Sequence, residues 1–351
     1  MTTATPSAPN PPATPTNKLG FTKQDYVGSK STLCAGCGHD AITAQIINAA
    51  FESNLEGYRV TKYSGIGCSS KTPAYFINQG WGFNSVHGRM PSIATGASLA
   101  NRNLINIGIS GDGDSMSIGM GQFVHAVRRN IPMIYIIEDN GVYGLTKGQF
   151  SATADKGSHL KSGAVNDLPP IDPCTLAIEL GCGFVARCFS GNPKQLNTIL
   201  KAAFAYEGTV VLDIISPCVT FNNHDASTRS YKHVKDHDFP LHDLGFIQYS
   251  EVEDVEIPAG QTEIVTFPDG SKVAIKATHE GYDPTDRFGA MKAVHESMAK
   301  GEFLTGLLYI NPTQPPLPQV LNLVDEPLNS LGEAQLKPSE ATLNEIMQAL
   351  M

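Results

Sequence analysis

Almost unbroken apolar runs recur along this chain at 104–109, 132–137, 184–188 and 210–215, each followed or preceded by a stretch with helical spacing. A strand that is apolar at every position, rather than at every second one, has to be covered on both faces. Such strands joined by helices are expected to lie parallel, because a parallel pair needs a long crossover. The helical stretches begin behind Asp40, an expected cap, where Ile42, Ile46, Ile47 and Phe51 share a face. Others are expected at 91–101, at 176–180 and at 193–206, and one where Met116, Met120, Phe123, Val124 and Val127 recur. A short strand is expected at 59–64. The fold class is therefore α/β: a doubly wound parallel sheet over 21–225, with a smaller C-terminal extension over 226–351. The extension reads as a hairpin over 256–277 turning at Pro268-Asp269-Gly270, a helix over 286–300 and a short strand over 307–310. Its last forty residues are expected to wrap a neighbouring chain. Residues 1–20 are proline-rich at their start and read as a disordered tail.

Composition narrows the function. Charged residues make up 17% of the 351 positions, against a usual share of roughly 25%, as expected of a subunit that hides surface against a partner. No apolar run reaches the ~18 residues of a membrane span, and the start lacks a signal-peptide pattern. A cytoplasmic protein without membrane contact is expected. The net charge of −9 disfavours a nucleic-acid partner. Seven cysteines are an odd count for a disulfide framework, so reduced thiols, some of them binding metal, are the better expectation.

The most informative stretch is Gly111-Asp112-Gly113-Asp114-Ser115, directly after one expected strand and before a helix. Ligands of open parallel sheets bind at the carboxyl ends of strands. There, glycines let the backbone approach phosphate oxygens, and a helix start adds amides and dipole. An aspartate in such a loop repels phosphate unless a cation lies between, which points to Mg²⁺, an ion that takes oxygen ligands. The next strand ends in Glu138-Asp139-Asn140-Gly141, so Asp112 and Asn140 follow two strands joined by one crossover. A GDG followed by 26 residues and Asn, on strand–helix–strand, is the signature of a thiamine-diphosphate site.

Cys34-Ala-Gly-Cys37-Gly precedes a helix, Cys68 follows Gly65-Ile66-Gly67, and Cys218 lies just past the last apolar strand. Four thiolates in loops can hold an iron–sulfur cluster or a zinc ion, and the CxxC alone can also be a redox pair. Cys174, Cys182 and Cys188 fall within apolar segments and read as buried structural thiols.

Taken together, Cys34-Ala-Gly-Cys37-Gly-His39, Gly65-Ile66-Gly67-Cys68-Ser69-Ser70-Lys71, His87-Gly88-Arg89, the GDGD loop and Pro217-Cys218-Val219-Thr220-Phe221-Asn222 resemble, in order, the motifs of the β subunit of 2-oxoacid:ferredoxin oxidoreductases, particularly the 2-oxoglutarate type. The resemblance covers about residues 20–340. It implies CoA-dependent oxidative decarboxylation of a 2-oxoacid to acyl-CoA and CO₂, with ferredoxin as electron acceptor. It implies three cofactors: thiamine diphosphate, Mg²⁺ and one 4Fe–4S cluster. It further implies a partner α subunit, in a heterodimer or a dimer of heterodimers, without which this chain is inactive. By the same resemblance, Cys34, Cys37, Cys68 and Cys218 match the cluster ligands. Asp112 and Asn140, with the carbonyl of Val142, match the Mg²⁺ ligands. Gly113 and Asp114 match the diphosphate loop, Ile66, Gly67, Cys68, Ser69, His87 and Gly88 match segments lining the cofactor, and Gly144 and Leu145 match the loop beside the thiazolium ring. Lys71 matches a lysine facing the substrate carboxylate.

No glutamate here has a context that marks it as the one thiamine activation needs, and the family places that residue on the partner. Nor is there a CxxCxxC array beyond the four matched cysteines, so an external ferredoxin is expected. Pyruvate or a broad range of 2-oxoacids is the alternative substrate. A non-redox thiamine-dependent decarboxylase or synthase is the alternative class, although it leaves the four placed cysteines idle. The stretches 306–312 and 322–325 look like the 2-oxoglutarate branch.

Overall fold

In the computed structural model, residues 14–248, 262–277 and 282–351 are described. The elements that build the centre are α1 (Gly38–Glu52), β1 (Val60–Ser64), β2 (Trp81–Asn84), α2 (Met90–Ala100), β3 (Ile105–Gly111), α3 (Met120–Arg129) and β4 (Met133–Asp139). They are followed by the short hairpin β5 (Val142–Tyr143) and β6 (Gln149–Phe150), then α4 (Pro173–Glu179), β7 (Phe184–Phe189), α5 (Pro193–Ala205) and β8 (Thr209–Ile215). The rest comprises α6 (Tyr231–His237), β9 (Asp238–Pro240), β10 (His242–Ile247), β11 (Thr262–Thr266), β12 (Lys272–Ala277), α7 (Arg287–Lys300) and β13 (Phe303–Ile310). Three short helices close the chain: α8 (Leu317–Val320), α9 (Glu333–Leu336) and α10 (Glu340–Ala349).

The main sheet has the order β2-β1-β3-β4-β8-β7-β13-β9. From β2 to β7 every pairing is parallel, β13 joins β7 antiparallel, and β9 runs parallel to β13. The unbroken apolar runs are explained by the side-chain period of two. Ile134 and Ile136 of β4 enter one core with Ile42, Ile46, Leu196 and Leu200 from α1 and α5. Met133, Tyr135 and Ile137 of the same strand enter the opposite core with Met90, Phe123, Ala177 and Val294 from α2, α3, α4 and α7. One strand thus serves two cores, and no position is left for a polar residue facing water.

The structure departs from the sequence expectations in four places. Helix α1 is capped by Cys37, not Asp40, which instead sits in the first turn, where a carboxylate favours the helix dipole. The helix expected through Met116 is split: Asp114–Ile118 winds as a π turn, with Gly119 N donating to Asp114 O at 2.8 Å, before α3 starts. Such turns recur at functional sites. Third, contacts begin before residue 21. Thr16 bridges Thr22, and Asn17 donates to the Tyr26 hydroxyl at 2.9 Å while accepting from Phe21 N at 3.0 Å. Residues 1–13 of the expected tail lie outside the described residues. Fourth, the chain after 225 does not stand apart. β13 starts at Phe303 rather than 307 and extends the main sheet, because its buried apolar residues need the neighbour that β7 offers. The three-stranded antiparallel sheet β10-β12-β11 places Val265, Phe267, Val273 and Ile275 in the first core. Of the expected hairpin, 256–261 lies outside the described residues, and the turn at 268–270 is as read. The segment from 321 onward is largely exposed, and Leu343, Ile346 and Met347 of α10 with Leu350 just after it form an apolar stripe.

Candidate active site

The carboxyl ends of β1, β3 and β4 open side by side at a point where the chain order along the sheet reverses, β1 leading outward to β2 before β3 returns on its other side. One cleft occupies this edge. It is lined by Ile66, Gly67, Cys68 and Ser69 after β1, by His87 after β2, and by Gly111, Asp112, Gly113 and Asp114 after β3. Asn140, Val142, Tyr143, Gly144, Leu145 and Thr146 after β4 and His39 of α1 complete it. Nearly all of the residues singled out for cofactor and Mg²⁺ therefore meet, although they come from four separate segments. Gly88 stands just behind, and Lys71 is exposed outside the lining, its backbone N donating to Cys68 O at 3.2 Å.

Asp112 is buried, and its Oδ2 accepts from Gly141 N at 2.9 Å, from Thr153 Oγ1 at 2.7 Å and from Ser151 Oγ. Burial, then the neighbouring Asp139 carboxylate, pushes its pKa up to about 7. A buried acid held at such a cost is the chemistry of a cation site, because a divalent ion supplies the missing counter-charge. Asn140 shares that end of β4; its main-chain carbonyl accepts from Asn222 Nδ2 at 2.8 Å and its side-chain Oδ1 from Val142 N at 3.0 Å.

The Asp114 side chain faces its own chain. Its Oδ1 accepts from Gly88 N at 2.7 Å and from His87 Nδ1, and its Oδ2 accepts from Ser110 Oγ at 2.6 Å. Asp114 thus ties the ends of β3 and β2 together and orients His87. Gly65 and Gly113 are glycines for lack of room: a Cβ on Gly65 would lie 2.7 Å from Asp114 Cγ, and one on Gly113 would overlap the Tyr143 ring.

The four matched cysteines flank the same cleft. A Cβ on Gly144 would lie 3.5 Å from Cys68 Sγ and 3.7 Å from Cys218 Sγ, so these two sulfurs share the rim of the Gly144 loop. Thr220 Oγ1 donates to Cys34 Sγ at 3.3 Å. Burial pushes the Cys37 thiol up to about 12, with Glu138 and Cys218 among the charges that add to it. Burial likewise raises Cys68, with Cys218 adding and Lys71 partly offsetting. A cysteine binds metal as its thiolate, so metal binding here would release these protons. Among the described residues, no three His, Cys, Asp or Glu side chains stand close enough to hold one metal ion. Cys174, Cys182 and Cys188 are buried, as read.

Sequence reasoning missed several polar residues around the cleft. Glu138 is fully buried with no hydrogen-bond partner for either carboxylate oxygen, 3.4 Å from His39 Nδ1. Burial, then Asp40, raises it well above the usual carboxylate range. His39 bonds Ser216 Oγ at 2.7 Å and is held to about 4 by burial. Ser151, Thr153 and Arg229 were missed because polar loop residues carry no period. Trp81 is 71% exposed on the edge strand β2. A larger cavity, about 460 Å³, lies behind Asp139 among Arg187, Asp213, Arg229 and His233, away from the glycine loops.

This site belongs to a thiamine-binding class: residues 65–214 match the family model described as thiamine pyrophosphate enzyme, C-terminal TPP binding domain. The chain is 45% identical over 194 residues to the β subunit of 2-oxoacid:ferredoxin oxidoreductase 1 of Aeropyrum pernix, covering 55% of this chain and 60% of that one. It is 32% identical over 204 residues to the 2-oxoglutarate synthase subunit KorB of Methanocaldococcus jannaschii, covering 58% and 74%. A solved structure of 2-oxoglutarate:ferredoxin oxidoreductase from Magnetococcus marinus, with 2-oxoglutarate, coenzyme A and succinyl-CoA bound, superposes with a TM-score of 0.72 at 28% identity, covering 94% of this chain and 96% of that one. The chain belongs to the family of 2-oxoacid:ferredoxin oxidoreductase β subunits. The matched part spans 60–65% of the length of the first curated relatives. No helix among the described residues is long and apolar enough to cross a membrane.

Proposed function

We propose that this chain is the β subunit of a 2-oxoglutarate:ferredoxin oxidoreductase that, with an α subunit, converts 2-oxoglutarate and CoA to succinyl-CoA and CO₂ while reducing two ferredoxins. The observation that carries the reading is the convergence of the thiamine-type residues and the four cysteines on one cleft. Asp112, Asn140 and the Val142 carbonyl would hold Mg²⁺, and the amides of the Gly113 loop would face the diphosphate. Cys34, Cys37, Cys68 and Cys218 would hold one 4Fe–4S cluster. Bound thiamine diphosphate supplies the nucleophile and the electron sink for decarboxylation, and the cluster carries electrons singly to ferredoxin.

This chain's own residues set the geometry. Cys68 and Ser69 are adjacent, so one segment touches both the cluster site and the thiamine site. Ile66 and Leu145, 39% and 50% exposed, offer apolar surface to a ring, and Lys71 would meet the substrate carboxylate. The enclosed part of the cleft is only about 50 Å³, whereas organic ligands fill roughly 300–1,000 Å³. This chain therefore forms a floor, and the α subunit is the natural source of the roof.

The test is anaerobic co-expression with the α subunit, followed by ferredoxin reduction with CoA and a panel of 2-oxoacids. Reduction that depends on 2-oxoglutarate supports the reading. Reduction with pyruvate alone overturns the substrate, and a preparation that binds neither thiamine diphosphate nor iron overturns the class.

A further inference from the structure

We infer that Ser151 and Thr153 are positioning residues for the metal ion, held in turn by Arg229; this rests on the thiamine reading above. Three donors converge on one oxygen of Asp112: Gly141 N at 2.9 Å, Thr153 Oγ1 at 2.7 Å and Ser151 Oγ. With Oδ2 occupied in this way, Oδ1 is the oxygen left for the cleft. A carboxylate with one oxygen pinned by three donors no longer swings, so its free lone pairs keep one direction.

The loop that carries the two hydroxyls is itself braced. Thr153 N donates to Ser151 Oγ at 3.3 Å, and Thr153 Oγ1 also lies 2.8 Å from Asp139 Oδ1. Arg229, which is buried, donates from Nη2 to the Thr153 carbonyl at 2.9 Å and stands 3.6 Å from Asp139 and 3.5 Å from Asp155. The second expected ligand is held through its backbone, since Asn222 Nδ2 donates to the Asn140 main-chain carbonyl at 2.8 Å, while its side-chain Oδ1 accepts from Val142 N at 3.0 Å. None of these residues lies in the glycine motifs. Together they decide where the Asp112 side chain points and fix the backbone that carries Asn140, and outer-shell partners of this kind typically contribute about 10- to 100-fold to metal affinity.

The experiment measures Mn²⁺ binding to the complex of this chain with its α subunit by the electron paramagnetic resonance of free Mn²⁺, with thiamine diphosphate present. Thr153→Val keeps the shape and removes the hydroxyl, and should weaken Mn²⁺ binding about 10- to 100-fold. Thr153→Ser loses a methyl group and keeps the hydroxyl, and should bind like the parent. A packing role predicts the opposite order, so valine binding like the parent, or serine as weak as valine, overturns the inference. If the valine variant does not fold, Ser151→Ala decides: weaker Mn²⁺ binding supports the inference and unchanged binding overturns it. A parent complex that binds no Mn²⁺ overturns the thiamine reading itself, a result distinct from variants that match a binding parent.

Discussion

Replacing Gly65 by alanine tests whether Asp114 is the knot of the cleft. The new Cβ would overlap Asp114 Oδ2, and its contact with Asp114 Cγ would have to open from 2.7 Å to the 3.4 Å of ordinary packing. Asp114 is buried and packed, so the cheapest response is rotation of its side chain. Rotation breaks the bonds from Ser110 Oγ at 2.6 Å and Gly88 N at 2.7 Å, and frees His87. Hydrogen bonds to a charged group contribute ~1.5–3 kcal/mol each. With water recovering part of the loss, the net destabilisation should be about 3 kcal/mol. Denaturant unfolding of the chain measures this directly, and thiamine diphosphate titration should show weakened binding, because the Gly88 and His87 loop loses its anchor. Asp114→Asn, which keeps the shape, should cost less than Gly65→Ala. A Gly65→Ala chain that unfolds at the parent's midpoint and binds the cofactor equally well would refute the reasoning.

His242 is buried, accepts from Leu307 N at 3.0 Å, and is held at about 4 by burial. A folded-state pKa below the unfolded value means stability that is present above pH 6.5 and lost as pH falls towards 4, so His242 should contribute about 2 kcal/mol of the stability lost between pH 7.5 and pH 5; unfolding curves of His242→Gln at both pH values should show a correspondingly smaller loss. Arg187 donates from Nε to Asp213 at 2.8 Å and from Nη2 to Asp172, all three buried or nearly so; Arg187→Met leaves both carboxylates uncompensated and should cost about 3–5 kcal/mol in urea unfolding, and a loss below 1 kcal/mol would show that the triad is not a structural brace. Cys34→Ser should lower iron content per chain after anaerobic reconstitution while Cys182→Ser does not; equal iron in both would remove Cys34 from the ligand set.

Much of the sheet was legible because an apolar run flanked by amphipathic helices admits few other arrangements. The Asp112–Asn140 pairing was legible for a related reason: consecutive parallel strands joined by one helix became neighbours, as β3 and β4 are. The cap of α1 was misplaced because Asp40 competes with a cysteine whose backbone, not its side chain, takes the capping conformation. The place of β13 was not legible, since its antiparallel pairing with β7 joins residues more than a hundred positions apart and has no local signal.

The sequence by itself determined the class of fold, the loop proposed for phosphate and cation, the four candidate cluster thiols and the family. These follow from short-range periodicity and from motifs in which neighbours along the chain are neighbours in space. Only the tertiary structure decided what surrounds them. It turned Asp114 inward as a tie, set Glu138 unpartnered beside His39, and brought Ser151, Thr153 and Arg229 behind Asp112. The physical reason is that a hydroxyl or guanidinium in a loop can meet any of many partners. Which one it meets is settled by the packing of the strands and helices that carry the loop, not by its place in the chain.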